Sequence, residues 1–151
     1  NILLKKMLKP PKLYFDINIS ELKNSNVNIN DIQIKTKEIK HSTTTKSIAY
    51  RIEHKNKVFV YTGDTECCNE TIEIARNADV LLIECSLPDN KKAKGHLTPS
   101  SAGKIASIAN VKKLILTHFY PEVLKTNIKK ECSKEFKGHI ILAKDKMKIG
   151  I

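Results

Sequence analysis

The chain has 151 residues, of which 40% are hydrophobic, and this is enough for one buried core in a single domain or in one large piece of a bigger one. The formal net charge is +11, but of the 27 basic residues only Arg51 and Arg76 are Arg. Because specific phosphate recognition favours Arg, the charge is weak evidence for a polyanionic substrate. No apolar run is long enough to predict a membrane span.

The cysteines indicate the compartment of the protein, and the first residue indicates how the chain relates to a longer one. The four cysteines form no CxxC spacing and no disulfide framework, so we expect reduced thiols and a cytoplasmic location. The first residue is Asn1 rather than Met, and an apolar segment follows it at once. We therefore expect the sequence to be a piece of a longer chain.

Short strands are predicted in the first sixty residues. Apolar or alternating residues at 13–15, 32–34 and 48–52 are typical of antiparallel strands. The polar, Asn-rich segment 24–31 predicts a turn or exposed loop. The continuous apolar run over 58–61 predicts a strand that is covered on both faces.

Beyond Tyr61 the pattern changes to strands and helices in alternation. A helix is predicted over 69–78, with Asn69 as a possible N-cap. The other expected elements are a buried strand over 79–84, a strand over 113–117, a helix from Pro121 to about Phe136, and strands over 139–143 and 147–151. This order favours an α/β fold in which helices pack on a sheet.

The clearest helix signal begins at Thr98. Thr98 can cap the helix, Pro99 suits its first position, and Asn110 can end it. One apolar stripe is predicted to face the core, made of Ala102, Ile105, Ala106 and Ile108.

Ionisable side chains follow the predicted strands at their carboxyl ends. Asp64 comes after the strand that ends at Tyr61, Glu84 closes the next strand, and His118 closes the one after it. His96 lies in the loop before the Thr98 helix. Functional groups of α/β sheets gather at this edge, so the four residues form a candidate site.

Each of these residues also has a structural interpretation. Asp64 could be a turn residue, His118 a partly buried histidine, His96 the residue before a helix, and Glu84 a partner of a nearby lysine. Four separate structural roles explain the pattern less well than one site does. Charged residues at the ends of buried strands cost free energy unless the charges are paired or bind metal.

Four motifs carry a resemblance to a known family. Residues 61–65 (YTGDT), 78–84 (ADVLLIE), 95–98 (GHLT) and 114–119 (LILTHF) resemble, in that order, the C-terminal motifs of metallo-β-lactamase-fold hydrolases of the ribonuclease Z type. The match covers roughly residues 40 to 151. It implies a four-layer αββα sandwich with a mixed sheet flanked by helices, of which this chain would be about the C-terminal half.

The resemblance implies a role for each matching residue. Asp64 would bridge two divalent metal ions, with zinc expected and manganese or iron as alternatives, and His118 would bind one of them. His96 would donate a proton to the leaving oxygen or hold the scissile phosphate, and Glu84 would orient His96. His41 is expected to have a structural or substrate-binding role. The implied activity is two-metal hydrolysis of a phosphodiester, with RNA as a candidate substrate.

The sequence departs from the family at one point. The His-x-His-x-Asp-His signature, which belongs to the N-terminal half of the family's domain, is absent. We therefore expect the missing N-terminal half to be a partner of this chain, and the chain alone to be inactive. A homodimer is also expected. Two alternatives stay open, a non-catalytic nucleic-acid-binding or scaffold relative and a thioester or lactone hydrolase of the same fold. His54 and His139 are expected to be surface or packing residues.

Overall fold

A single mixed sheet organises the protein. The computed structural model describes residues 21–42, 44 and 46–151, and the strand expected at 13–15 lies outside them. Seven strands pair in chain order. They are β1 (Asn26–Ile29), β2 (Ile32–Ile39), β3 (Ser47–His54), β4 (Lys57–Tyr61), β5 (Val80–Glu84), β6 (Lys113–Thr117) and β7 (His139–Leu142).

The sheet has two halves with different strand directions. Successive strands from β1 to β4 pair in antiparallel fashion, and two-residue turns separate β1 from β2 and β3 from β4. Strands β4 to β7 are parallel, so each connection between them has to cross back over the sheet. Because β2 and β4 are both antiparallel to β3, the carboxyl ends of β2, β4, β5, β6 and β7 meet at the same edge of the sheet.

The crossing connections contain the helices. They are α1 (Asn69–Ala75), α2 (Pro99–Ile108), a 3₁₀ turn (Val123–Lys125) and α3 (Ile128–Cys132). Side chains of these helices share one hydrophobic cluster with one face of the strands, including Val60, Leu81, Ile83, Leu114, Leu116 and Ile140. None of the helices in the described residues has the length and apolar character that crossing a membrane requires.

The opposite face of the sheet carries two apolar rows. The strand register places Val27, Ile34, Ile52, Phe59 and Val80 in one row, and Tyr50, Tyr61, Leu82, Ile115 and Ile141 in the next. Near the last strands, a small cleft of about 200 Å³ separates this face from Met147 and Ile151. Tyr61 is 40% exposed.

Two expectations about the first strands were wrong. The polar segment 24–31 contains β1, because its residues 26–29 pair with β2 around a tight turn in which Asn30 has a φ of 54°. The run 58–61 is a strand, but only Val60 in it is buried. The helices cover one face of this strand, and no other described element covers its second face to the same extent.

Three expectations about the helices need correction. Cys68, not Asn69, is the N-cap of α1. Ile108 was expected on the buried stripe of α2 but is 55% exposed, because the helical repeat from Ala102 continues the buried stripe at Ala109 instead. The helix expected over 121–136 is broken into the 3₁₀ turn and α3, since the Asn127 side chain caps α3 by accepting the N–H of Lys130.

The C-terminal expectation also failed. No strand forms over 147–151, and the described chain after β7 runs as a turn and irregular segment. The other predicted elements are confirmed within a few residues of their expected ends, and Asn110 follows α2 with a φ of 53°, the left-handed conformation typical of a helix end.

Candidate active site

The predicted site residues meet at the carboxyl edge of the sheet. Asp64 follows β4, Glu84 is the last residue of β5, and His118 follows β6 directly. His96 reaches this edge from the loop before α2, and His41 follows β2. Ring centroids of His41 and His96 are 5.0 Å apart, and those of His96 and His118 are 5.9 Å apart.

Glu84 is the buried centre of the site. Its side chain is 1% exposed, and Oε1 accepts the backbone N–H of Thr65 at 2.8 Å. Oε2 accepts the backbone N–H of Leu97 at 3.1 Å and the hydroxyl of Ser86. Both oxygens also face Nδ1 of His96, at 3.0 and 3.2 Å. The carboxylate therefore ties β5 to the segments that carry Asp64 and His96.

The contact with Glu84 determines how His96 faces the surface. A carboxylate accepts hydrogen bonds, so Nδ1 of His96 donates its proton to Glu84. The other ring nitrogen, Nε2, is then directed away from the core and lies 3.5 Å from the Tyr120 hydroxyl. The side chain of His96 is 18% exposed.

Asp64 and His118 form a more open pair. Oδ2 of Asp64 lies 3.4 Å from Nε2 of His118, and both side chains are more than a third exposed. His118 has a φ of 58°, in the left-handed region that non-glycine residues rarely occupy. Such strain is concentrated at functional sites, because the surrounding structure has to hold it in place.

His41 is held against the loop that carries His96. Its Nδ1 lies 2.7 Å from the carbonyl oxygen of Gly95, which can only accept, so Nδ1 carries the proton and Nε2 keeps a lone pair. Gly95 has a φ of 86°, and a Cβ atom at this position would lie 2.2 Å from the His41 carbonyl oxygen. The close approach of the two segments therefore requires glycine.

Two sets of side chains have the spacing of a metal site. Ligand atoms of His41, Glu84 and His96 lie within 4.8 Å of one another. The Glu84 oxygens in that set already accept hydrogen bonds from two backbone N–H groups and a hydroxyl, so Glu84 is a poor ligand. Asp64 and His118 offer a carboxylate and an imidazole with no other hydrogen bond among the described residues, and they fit a divalent ion better.

The cysteines near this edge do not fit a catalytic or ligand role. Cys85 directly follows Glu84 and is fully buried, and burial raises the pKa of its thiol. Burial also raises the pKa of Cys132 to about 12. The thiolate is the form that attacks substrates and binds metals, so these two groups are structural at neutral pH.

A family model for the beta-lactamase superfamily domain matches residues 5–119, which is most of the chain. The chain belongs to this superfamily. The resemblance to metallo-β-lactamase-fold hydrolases of the ribonuclease Z type, and the α/β fold class with its mixed sheet, are confirmed.

Relatives within the superfamily include ribonucleases. Ribonuclease Z of Archaeoglobus fulgidus is 36% identical over 118 residues, which cover 74% of this chain and 38% of the relative. The metallo-beta-lactamase fold protein YhfI of Bacillus subtilis superposes with a TM-score of 0.76 at 27% identity, over 83% of this chain and 52% of YhfI. The short form of human tRNase Z shares the fold, with a TM-score of 0.63 at 23% identity over 83% of this chain and 45% of that one.

The chain thus spans well under two thirds of the length of these superfamily members. Sequence reasoning brought together Asp64, Glu84, His96 and His118 correctly in space, and their chemical roles stay predictions. It missed Ser86, Thr65 and Tyr120, which contact the predicted residues. Tyr120 had a visible signal, since it lies two residues beyond His118 and immediately before Pro121.

Proposed function

We propose that this chain carries part of a two-metal phosphodiesterase site, with RNA as the favoured substrate. The proposal rests on two sets of side chains that lie next to each other at one edge of the sheet. An exposed Asp64–His118 pair suited to a metal ion lies beside His96, whose Nδ1 is fixed by a buried carboxylate. The Asp64–His118 pair suits binding of a metal, and His96 suits proton transfer.

Asp64 and His118 would bind the metal, and His41 would have a structural or substrate-binding role. Nδ1 of His41 is held by the Gly95 carbonyl oxygen, which fixes its ring beside that of His96. Three protein ligands are usual for a catalytic zinc, so the metal and the bridging role of Asp64 need further ligands from outside the described residues.

His96 would transfer a proton to the substrate. Bound divalent ions supply a water of lowered pKa and neutralise phosphoryl charge. Glu84 accepts a hydrogen bond from Nδ1 of His96, so the Nε2 atom faces the surface. In the protonated ring, Nε2–H donates to the leaving oxygen as the bond to phosphorus breaks, and the ring regains a proton from solvent.

The charges on one side of the site give weak support for a polyanionic substrate. A cleft of about 430 Å³ next to His41 is lined by Lys40, Lys46 and Lys94 and by two carboxylates, Glu38 and Glu66. A second cleft, of about 640 Å³, has His96 on its wall and is lined by equal numbers of lysines and glutamates. An extended phosphodiester that enters past His41 would therefore meet a small excess of positive charge. The ribonuclease Z relative supports RNA over other phosphodiesters.

The test separates metal ligands from the proton donor in the full-length protein. Changing Asp64 or His118 to Ala should lower both the bound metal, measured by elemental analysis, and the rate on bis(p-nitrophenyl) phosphate and on an RNA substrate. Changing His96 to Ala should leave the metal in place and lower the rate by roughly two to four powers of ten.

His139→Ala is the matched control, since His139 is an exposed histidine at the amino end of β7, away from the site. It should change neither metal nor rate. Loss of metal from the His96 variant would make His96 a ligand. An intact, metal-loaded protein that hydrolyses thioesters or lactones but no phosphodiester would refute the proposed substrate class, and one that binds RNA without turnover would favour the non-catalytic alternative.

A further inference from the structure

Tyr120 is fixed beside the two histidines of the proposed site. Its backbone N–H donates to the carbonyl oxygen of Ser86 at 3.2 Å, and its carbonyl oxygen accepts the N–H of Val123 at 3.1 Å. Its ring lies 5.5 Å from that of His96 and 5.3 Å from that of His118, measured between centroids. The residue is 36% exposed, so a large aromatic side chain is held at the surface beside these histidines.

The Tyr120 hydroxyl is close to the nitrogen proposed to act on substrate. Its oxygen lies 3.5 Å from Nε2 of His96, while Nδ1 of the same ring is occupied by Glu84. Two donors at this separation can both reach one oxygen atom placed about 2.8–3.0 Å from each. This is the arrangement of paired donors that stabilises an oxyanion in an acyl-transfer or phosphoryl-transfer site.

We propose that Tyr120 is a catalytic residue whose hydroxyl donates a hydrogen bond to the same substrate oxygen that Nε2 of His96 contacts. The inference rests on the proposed function and extends it. His96 supplies the proton, and Tyr120 keeps its own, so the phenol stabilises the charge that develops on that oxygen without itself becoming charged. No bond to Tyr120 forms or breaks.

A packing role alone does not account for the hydroxyl. The ring of Tyr120 lies beside those of His96 and His118, and phenylalanine would keep that ring. Among the described residues the hydroxyl has one polar neighbour, Nε2 of His96. The hydroxyl is therefore the part of Tyr120 to remove.

The variant Tyr120→Phe removes that one oxygen and keeps the ring. In the metal-loaded, full-length protein we expect kcat for a phosphodiester to fall roughly a hundredfold while KM changes by less than about threefold. Inorganic phosphate, titrated by calorimetry as a second readout, should bind about tenfold more weakly, because one of its donors is lost. In the double variant with His96→Ala, the combined loss should be smaller than the product of the two single losses, since both act on one oxygen.

Tyr61→Phe removes a phenol on the other face of the sheet, away from His96, and should leave kcat, KM and phosphate affinity unchanged. Metal content has to be equal in all variants. Wild-type kcat and phosphate affinity in Tyr120→Phe would overturn the inference and leave the proposed function standing. Phosphate binding that depends on Tyr120, in a protein that hydrolyses no phosphodiester, would refute the proposed function and the catalytic role of Tyr120, and would leave its hydroxyl as a donor to a bound anion. A protein that neither binds phosphate nor hydrolyses phosphodiesters would refute both.

Discussion

Glu84 is a buried acid whose neighbours are hydrogen-bond donors rather than a lysine or arginine. Four donors surround it, the two backbone N–H groups of Thr65 and Leu97, the Ser86 hydroxyl and the His96 ring. Burying a charge is costly, and these hydrogen bonds offset the cost only while all of them are made. Glu84 thus contributes to stability and to the geometry of the site through the same contacts.

Replacing Glu84 by Gln should therefore lower the stability of the fold and disturb the geometry of the site. In either orientation the new amide NH₂ faces a backbone N–H or the His96 ring proton, so at least one buried donor loses its acceptor. We expect the free energy of unfolding, from urea titration, to fall by about 2–4 kcal/mol. Glu122→Gln, at an exposed position, is the control and should change it by less than about 0.5 kcal/mol. A Glu84→Gln protein as stable as wild type would show that the carboxylate is not needed.

Asp79 links β4 to β5 through a second carboxylate. It accepts the backbone N–H of Val58 at 2.8 Å and pairs with Lys112 at 2.8 Å. The hydrogen bond from Lys112, with that from Val58, holds the pKa of Asp79 below its usual value. A lowered pKa in the folded state contributes stability that is present above the pKa of the unfolded chain and is lost as pH falls through the folded pKa.

The variant Asp79→Asn should show this dependence. Asn can still accept from Val58 but lacks the charge that Lys112 contacts. The difference in unfolding free energy between wild type and variant should be largest near pH 6–7 and should shrink steadily as the pH falls below about 4. Chemical denaturation at a series of pH values measures it. A difference that is constant from pH 7 to pH 3 would contradict the assignment.

Helix α2 combines a strong start with a close contact. Thr98 and Ser101 form a capping box, in which each side chain bonds the backbone N–H of the other. Further along, Gly103 faces α3 so closely that a Cβ atom would lie 2.7 Å from the carbonyl oxygen of Cys132. The glycine lowers helix propensity but allows the two helices to approach.

Gly103→Ala should therefore destabilise the protein although Ala is the better helix former. Ala gains up to about 1 kcal/mol in helix propensity, and the clash with backbone should cost more, so we expect a net loss of about 1–3 kcal/mol in urea unfolding. Ser107→Ala, at an exposed position of the same helix, has the propensity gain without the contact and should be neutral or slightly stabilising. If both variants are stabilised, the two helices are not in close contact.

The elements show why part of the site could be predicted and part could not. The positions of Asp64, Glu84 and His118 follow from strand ends, because parallel strands bring their carboxyl ends to one edge. The contact of His41 with Gly95 depends on two loops 54 residues apart and has no local signal. The break before α3 was missed because the local signal was misleading. The apolar periodicity of the sequence continues through Asn127, while the Asn127 side chain caps a new helix there.

At the scale of the molecule, the two faces of the sheet differ. One face is covered by α1 to α3 and shares their hydrophobic core. The other carries the two apolar rows described above, of which Phe59 and Leu82 are half-buried and Tyr61 is 40% exposed. An apolar surface of this extent usually marks a contact with another protein part. We propose that it is covered by a further part of the domain, since the archaeal ribonuclease Z is longer than this chain and only 38% of it is matched.

The 151-residue chain expressed alone should therefore expose this face and bind no catalytic metal pair. We expect it to associate in sedimentation velocity, to enhance the fluorescence of a hydrophobic dye, and to leave bis(p-nitrophenyl) phosphate unhydrolysed in the presence of zinc or manganese. Tyr61→Lys places a charge on the apolar face and should reduce both association and dye binding. Ile108→Lys changes an even more exposed apolar residue on the helical side and should reduce neither. The physical reason is that a charge hinders burial only on the surface that is to be buried. A monomeric, dye-negative chain that binds two ions and turns over substrate would contradict this account, because its site would then be complete without a covering part.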